Sequence, residues 1–255
     1  MSPPDVSVLV DLEGWPEDTA RFLASLARHR CGRSVEVVVV DRRAQPEPPA
    51  AALLEGVAHH GGGSRPREAG CAPAPAWDGS ATYLAAPPGT GFGAAQSLAL
   101  ASATGIVVVL VDASLELTGD LLGDLLAALD DPTVAVAGPF GLATADLCDY
   151  EERTAGDVAA VQGYCLAARR AELVAAGGVQ ERFRWYRNAD IDVSLRLRTL
   201  DEPPVRRAVA AGAGHCTRHT HRAWEATPEA ERGERSRHNM GIVHEVFFGR
   251  KDLTV

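Results

Sequence analysis

VSVLVDLEGWPEDTARFLASL, residues 6–26, and VEVVVVD, residues 35–41, decide the fold. The first opens on a short, β-branched, apolar run, Val6–Val10, the pattern of a strand buried on both faces. Pro16 suits a first helical turn, and Phe22, Leu23 and Leu26 then form an apolar stripe at helical spacing. Cys31–Gly32 breaks that helix, and Val35–Val40 is a second buried strand ending at Asp41. Strand, helix, strand between residues 6 and 41 makes a βαβ unit, which implies a parallel sheet and a right-handed crossover.

The same alternation continues along the chain. ATYLAA (81–86) reads as a strand, GFGAAQSLALASATG (91–105) as a helix ended by Gly105, and IVVVLV (106–111) as a buried strand ending at Asp112. LTGDLLGDLLAALDD (117–131) predicts an amphipathic helix with Thr118 as its cap. VAVAG (134–138) is a further strand, and DVAAVQGYCLAARRAEL (157–173) passes from strand into helix, stopped by Gly177–Gly178. NADIDVSLRLRTL (188–200) fits either an alternating strand or a helix capped by Asn188 with two aspartates in its first turn. Residues 44–80, rich in Pro, Ala and Gly, read as a variable surface loop with a helical turn or two around 50–58. The expected architecture is an α/β domain over residues 1–200, a Rossmann-type, mostly parallel central sheet flanked by helices. A short helical extension over 201–255, rich in Arg and His, packs on it.

Bulk properties narrow the function. A chain of 255 residues with 46% hydrophobic content can bury a full core. Its net charge of −9 argues against a nucleic-acid partner, which would need clustered cations. Lys251 is the only lysine, a bias expected of a GC-rich genome. The five cysteines, Cys31, Cys71, Cys148, Cys165 and Cys216, form no CxxC pair and read as free thiols of a reducing compartment. No signal peptide and no membrane-spanning segment is expected, so the predicted location is cytoplasmic.

Asp41 and Asp112 each end a buried parallel strand, the edge of an open α/β sheet where ligands bind. Asp190 follows an aromatic stretch, Phe183, Trp185 and Tyr186. The order of residues 6–26, 35–41 and 91–114 resembles the nucleotide-binding half of bacterial family 2 glycosyltransferases, which have a GT-A-type fold. VQGYCLAARRAELVAAGGVQERFRWYRNADIDVSLRLR (161–198) is similar to that family's second half. RHTHRAWEATPEAERGERSRHN (218–239) with FFGRKDL (247–253) resembles the tail of a subset of them.

The resemblance implies an inverting transfer of a sugar from a nucleotide-diphosphate donor to a hydroxyl acceptor: a glycan, a lipid-linked precursor or a small molecule. It places Asp11, Glu13 and Asp41 around base and ribose, Asp112 at the first position of the D-x-D metal motif, and Asp190 as general base. Ser114 stands at the second D-x-D position, and His219 and His221 are the late histidines proposed for a Mg²⁺ or Mn²⁺ site, with His215 also a candidate for that role. Departures from the family pattern are Ser114 and Ala189 in place of acids, Arg42 at the second strand's end, and Gln96 in place of the middle helix's customary Asn. Glu116 is a compensating acid. The histidine spacing matches no zinc pattern. Two alternatives stay open: a non-catalytic binder of nucleotide sugar or glycan with the same fold, and a dinucleotide-binding oxidoreductase using Gly89-x-Gly91-x-x-Ala94 for phosphate.

Overall fold

The computed structural model describes residues 4–43, 81–200 and 205–255. The loop expected over 44–80, with its helical turns, and Cys71 lie outside the described residues. The opening unit forms as its pattern dictates: β1 (Val6–Leu12), α1 (Pro16–His29) and β2 (Val35–Asp41). β3 (Ala81–Ala85), α2 (Phe92–Ser102) and β4 (Val107–Val111) repeat it. Then come β5 (Leu115–Leu117), α3 (Leu121–Leu129), β6 (Val134–Gly138), β7 (Gly141–Ala143), β8 (Glu151–Arg153), β9 (Gly156–Val158) and β10 (Ala160–Val161). β11 (Cys165–Arg169), α4 (Arg170–Ala175), α5 (Ala189–Arg198), β12 (Arg207–Ala210), β13 (Cys216–Arg218), α6 (Arg222–Glu225) and α7 (Glu229–Phe247) complete the chain.

The central sheet has eight strands in the order β3-β2-β1-β4-β11-β6-β12-β9. β1, β2, β3 and β4 are mutually parallel, as are β6 and β12; β11 runs against both of its neighbours and β9 against β12. Side chains of a strand alternate between faces, and the core divides accordingly. Val6, Val8 and Val10 of β1 pack with Phe22, Leu26 and Leu125 from α1 and α3. Leu9 and Val38 pack on the other face with Ala95 of α2, Leu195 of α5 and Val243 of α7. Helices thus cover both faces, which is why β1 and β2 are apolar almost without interruption.

Four expectations are corrected. The helix after β5 starts at Leu121 and is capped by Asp120, which accepts from Gly123 N at 2.9 Å. Thr118 lies two residues before the cap position, where its backbone N–H donates to His215 O at 2.9 Å in line with the β5–β13 pairing. Residues 189–198 are helical with Asn188 at the N-cap position, but at φ 64 its side chain makes no cap hydrogen bond and donates to Ser236 O instead. β12, inside the expected extension, is an interior strand of the sheet, so the boundary at 200 falls within the α/β layer rather than after it. Cys31 is disulfide-bonded, while Cys148, Cys165 and Cys216 are free; the expectation of free thiols fails at Cys31. Among the described residues no helix is long and apolar enough to cross a membrane.

One polar residue sits inside an otherwise apolar strand. Glu36 of β2 is buried and accepts from Ser7 Oγ, from Thr104 N and Oγ1, and from Gly105 N at 3.0 Å. Gly105 has no room for a side chain there, since a Cβ would lie 2.6 Å from Ser7 N. Burial alone would raise the Glu36 carboxyl, but these hydrogen bonds outweigh it and hold it below its ordinary value. Its contribution is therefore present above pH 4.5, the unfolded value, and is lost as pH falls through the lower folded one. Glu36→Ala should cost about 2–3 kcal/mol in urea unfolding at neutral pH, with the gap to wild type closing in acid.

Candidate active site

β4 ends at Val111, and β11 begins at Cys165 directly opposite it, antiparallel. That register sets the turn before β11 beside Asp112. Asp112 N donates to Tyr164 O at 3.1 Å, and the next amide back, Gly163 N, donates to Asp190 Oδ2 at 2.7 Å. A two-residue corner therefore holds both acids at one edge of the sheet.

Two clefts meet there. The first is lined by the end of β1 and the loop after it, including Asp11, Glu13 and Trp15, and by Asp112, Asp190 and His221. The second shares Asp112, Gly163, Tyr186, Asp190 and His221 with it and opens toward Tyr150, Arg218 and α7. Two buried lining side chains of the first cleft, Thr19 and Gln96, carry an oxygen with no hydrogen-bond partner among the described residues.

Asp112 accepts from Ser114 N at 2.7 Å on Oδ1 and pairs with His221 Nε2 at 2.7 Å through Oδ2. Burial would raise its carboxyl, but His221 and Ser114 hold it below the ordinary range. Burial likewise works to lower the His221 imidazole, and Asp112 overcomes this and raises it. Tyr186 stacks on the His221 ring with centroids 4.3 Å apart, fixing its plane. Asp190 lies in the first turn of α5, accepting from Gly163 N and, through Oδ1, from Ile191 N at 3.0 Å. Desolvation dominates there, so its carboxyl is raised despite those bonds.

Other expected site residues fall elsewhere. Asp41 is buried under Arg43 (2.8 Å) and Tyr83 Oη (3.0 Å) and is absent from the described lining of both clefts. Arg42 instead turns inward, gripping Asp11 at 2.7 Å and Glu13 at 2.9 Å. Burial lifts the Asp11 carboxyl to about 6, with Arg42 opposing and Glu13 and Asp112 adding to the rise. His219 turns away from Asp112 onto Glu116, at 2.8 Å, so neither reaches the clefts. His215 pairs with Asp124 at 2.7 Å.

Gly91 is not a phosphate cradle. The first amides of α2, Phe92 N and Gly93 N, donate to Arg184 O and Phe183 O at 3.0 and 2.8 Å. A Cβ on Gly93 would stand 2.0 Å from Gln180 O, and one on Gly91 3.2 Å from Arg184 Cα. The glycines serve close packing, and the dinucleotide reading loses its backbone donors.

The donor set does not make a self-contained cation site either. Among the described residues no group of three His, Cys, Asp or Glu side chains is placed to hold one ion, and both Asp112 oxygens already accept hydrogen bonds. Trp15 and Thr19 line the first cleft and were passed over by motif reading, Trp15 being signalled only by adjacency to a motif position and Thr19 by nothing; Arg42 and Tyr186 were noted in the sequence without a site role.

No family model and no curated protein matches the sequence. Solved structures do match its fold. A mannosyltransferase from Pyrobaculum calidifontis, in complex with GDP-Man and Mn²⁺, aligns with TM-score 0.59 and 19% identity over 82% of this chain and 55% of its own. GalNAc-T7 with UDP, GalNAc and Mn²⁺ aligns with TM-score 0.60 and 14% identity over 82% and 42%. TarS of S. aureus aligns with TM-score 0.59 and 15% identity over 96% and 44%. The chain spans about half the length of these structures or less.

Arg42→Met should leave Asp11 without its counter-charge. Because a buried acid with a raised carboxyl loses stability as pH rises from its unfolded value through its folded one, the wild-type decline runs to about pH 6 and then levels off. In the variant the decline should extend beyond that pH, read by thermal melting across pH 4–8. The chain's mixed α/β architecture, a large, mostly parallel sheet flanked by helices, is the fold it shares with these solved structures.

Proposed function

We propose that this chain is a glycosyltransferase, moving a sugar from a nucleotide-diphosphate donor to an acceptor hydroxyl with inversion. The observation that carries the reading is the pair of clefts sharing one wall, with Asp112 and Asp190 both on it. The first cleft takes the nucleotide against Trp15 and the Asp11–Arg42–Glu13 cluster, and the second takes the acceptor. Asp190 accepts the acceptor's proton while that oxygen attacks the anomeric carbon. The bond to the diphosphate oxygen breaks on the opposite face, and the nucleoside diphosphate leaves with the electron pair. A carboxyl raised by burial suits this work, because a general base gains efficiency as its pKa approaches the working pH.

A divalent cation supplies charge neutralisation at a leaving diphosphate. Asp112 offers it one carboxylate here, so nucleotide binding should fall by less than about tenfold when a chelator replaces Mn²⁺. The incomplete donor set also favours a second reading, a nucleotide-sugar binder without turnover.

Calorimetric titration with UDP, GDP and TDP, each with Mn²⁺ and with chelator, tests the donor site. Absence of binding to all three would sink the proposal. Asp190→Asn should lower transfer by about 10²–10⁴-fold with nucleotide affinity intact, whereas Asp112→Ala should weaken nucleotide binding itself. Wild-type kcat/KM should fall as pH drops through a carboxylate value above the ordinary one, since only the ionised base acts. Tight nucleotide binding by a wild-type protein that turns over no sugar nucleotide, even by hydrolysis, would support the second reading.

A further inference from the structure

We infer that the acceptor is anionic, with an oxyanion group held by Arg187 and Arg237 beside the base. The inference rests on the proposed transferase reading and names the substrate class of its second cleft. Both guanidinium groups belong to residues that line this cleft and are exposed, and neither has an acidic partner among the described residues. The other cations of the site are engaged. Arg218 pairs with Glu152 at 2.6 Å, His221 with Asp112 at 2.7 Å, and Arg222 with Glu17 and Asp18. In a chain of net charge −9, two arginines that line one cleft and form no ion pair among the described residues are available to a group outside the protein; Arg187 acts on Asp190 by its charge without pairing with it.

The surrounding structure holds them in place. Two buried asparagines clamp the loop before α5 to α7. Asn188 Nδ2 donates to Ser236 O at 3.0 Å, and Asn239 Nδ2 donates to Trp185 O at 2.9 Å and Arg187 O at 2.6 Å. Arg187 immediately precedes Asn188, and Arg237 immediately follows Ser236, so the clamp sets the two side chains on facing segments. Asn188 adopts φ 64, a left-handed conformation, to make its bond. Arg187 also lies over the Trp224 ring, 5.4 Å from its centroid, which limits its sweep. Asp190 is three residues beyond Arg187 and lines the same cleft. A planar guanidinium fork matches carboxylate and phosphate oxygens in bidentate fashion. An acceptor bearing such a group near its hydroxyl would be oriented toward Asp190. Neither arginine is among the described lining of the first cleft, which separates their role from that of the nucleotide.

The test titrates wild type, an Arg187→Gln/Arg237→Gln double variant and an Arg184→Gln control by calorimetry. The probes are glycerol 3-phosphate, glucuronate, and the neutral methyl glucoside, each with and without UDP, GDP or TDP. At least one anion should bind wild type and the control about tenfold tighter than the neutral probe, and which anion does so separates phosphate from carboxylate. The double variant should lose that preference while keeping its nucleotide affinity and melting temperature. Equal affinity for charged and neutral probes would overturn the inference. So would a double variant that loses nucleotide binding, which would assign the arginines to the donor. Should no nucleotide bind wild type, the transferase reading falls, and the anion titration of the free protein still decides the arginine site.

Discussion

The Gly163–Tyr164 corner is the constraint on which the site depends. One amide of this dipeptide donates to Asp190, and the carbonyl of the next residue accepts from the backbone of Asp112. The two acids belong to segments seventy-eight residues apart in sequence numbering (190 minus 112), and without the corner nothing in their local sequence brings them together. The corner is itself placed by the antiparallel register of β11 on β4, in which Cys165 faces Val111. A one-residue slip in that register would turn every β11 side chain to the other face of the sheet, and it would carry Gly163 away from α5.

The same reversal explains the division of the sheet. The parallel half, β1 to β4, supplies strand ends and the loop that carries Trp15. The second half, built on β6 and β12, supports α5 and α7. Buried polar groups join the parts. Asp192, within α5 and fully buried, pairs with Arg196, whose guanidinium also donates to the carbonyls of Ala176 and Gly178. Arg198 donates to Ala159 O and Leu253 O, both at 2.8 Å, tying α5 to the C-terminal residues. Charges buried in this way are costly when one partner is removed, and they fix α5, and hence Asp190, against the rest of the chain.

The polar groups at the strand ends are each held by a defined partner. Asp112 accepts from the Ser114 N–H on one oxygen and pairs with His221 through the other. Arg42, just after β2, pairs with Asp11 and Glu13, while Asp41 lies under Arg43 and Tyr83.

By itself the sequence determined the α/β layering, because apolar runs of five to seven residues separated by helical stripes leave a parallel sheet as the economical way to bury both faces. It also marked Asp112, as the end of a buried strand, and Asp190, by its place after an aromatic stretch in a segment that resembles a known family's pattern. Residues 188–200 stayed ambiguous because alternation and helical spacing coincide over so short a segment; packing of Ile191, Val193, Leu195 and Leu197 in the core beside α7 settled them as a helix. Only the tertiary structure decided that His221 rather than His219 reaches Asp112, that Asp41 is turned away, and that Gly91 and Gly93 serve packing. Each of those outcomes depends on a partner remote in sequence: Glu116 for His219, Tyr83 for Asp41, and the 180–184 backbone for the glycines. Local residue patterns encode periodicity and strand ends, whereas side-chain direction is set by whichever distant group the fold brings within hydrogen-bonding reach.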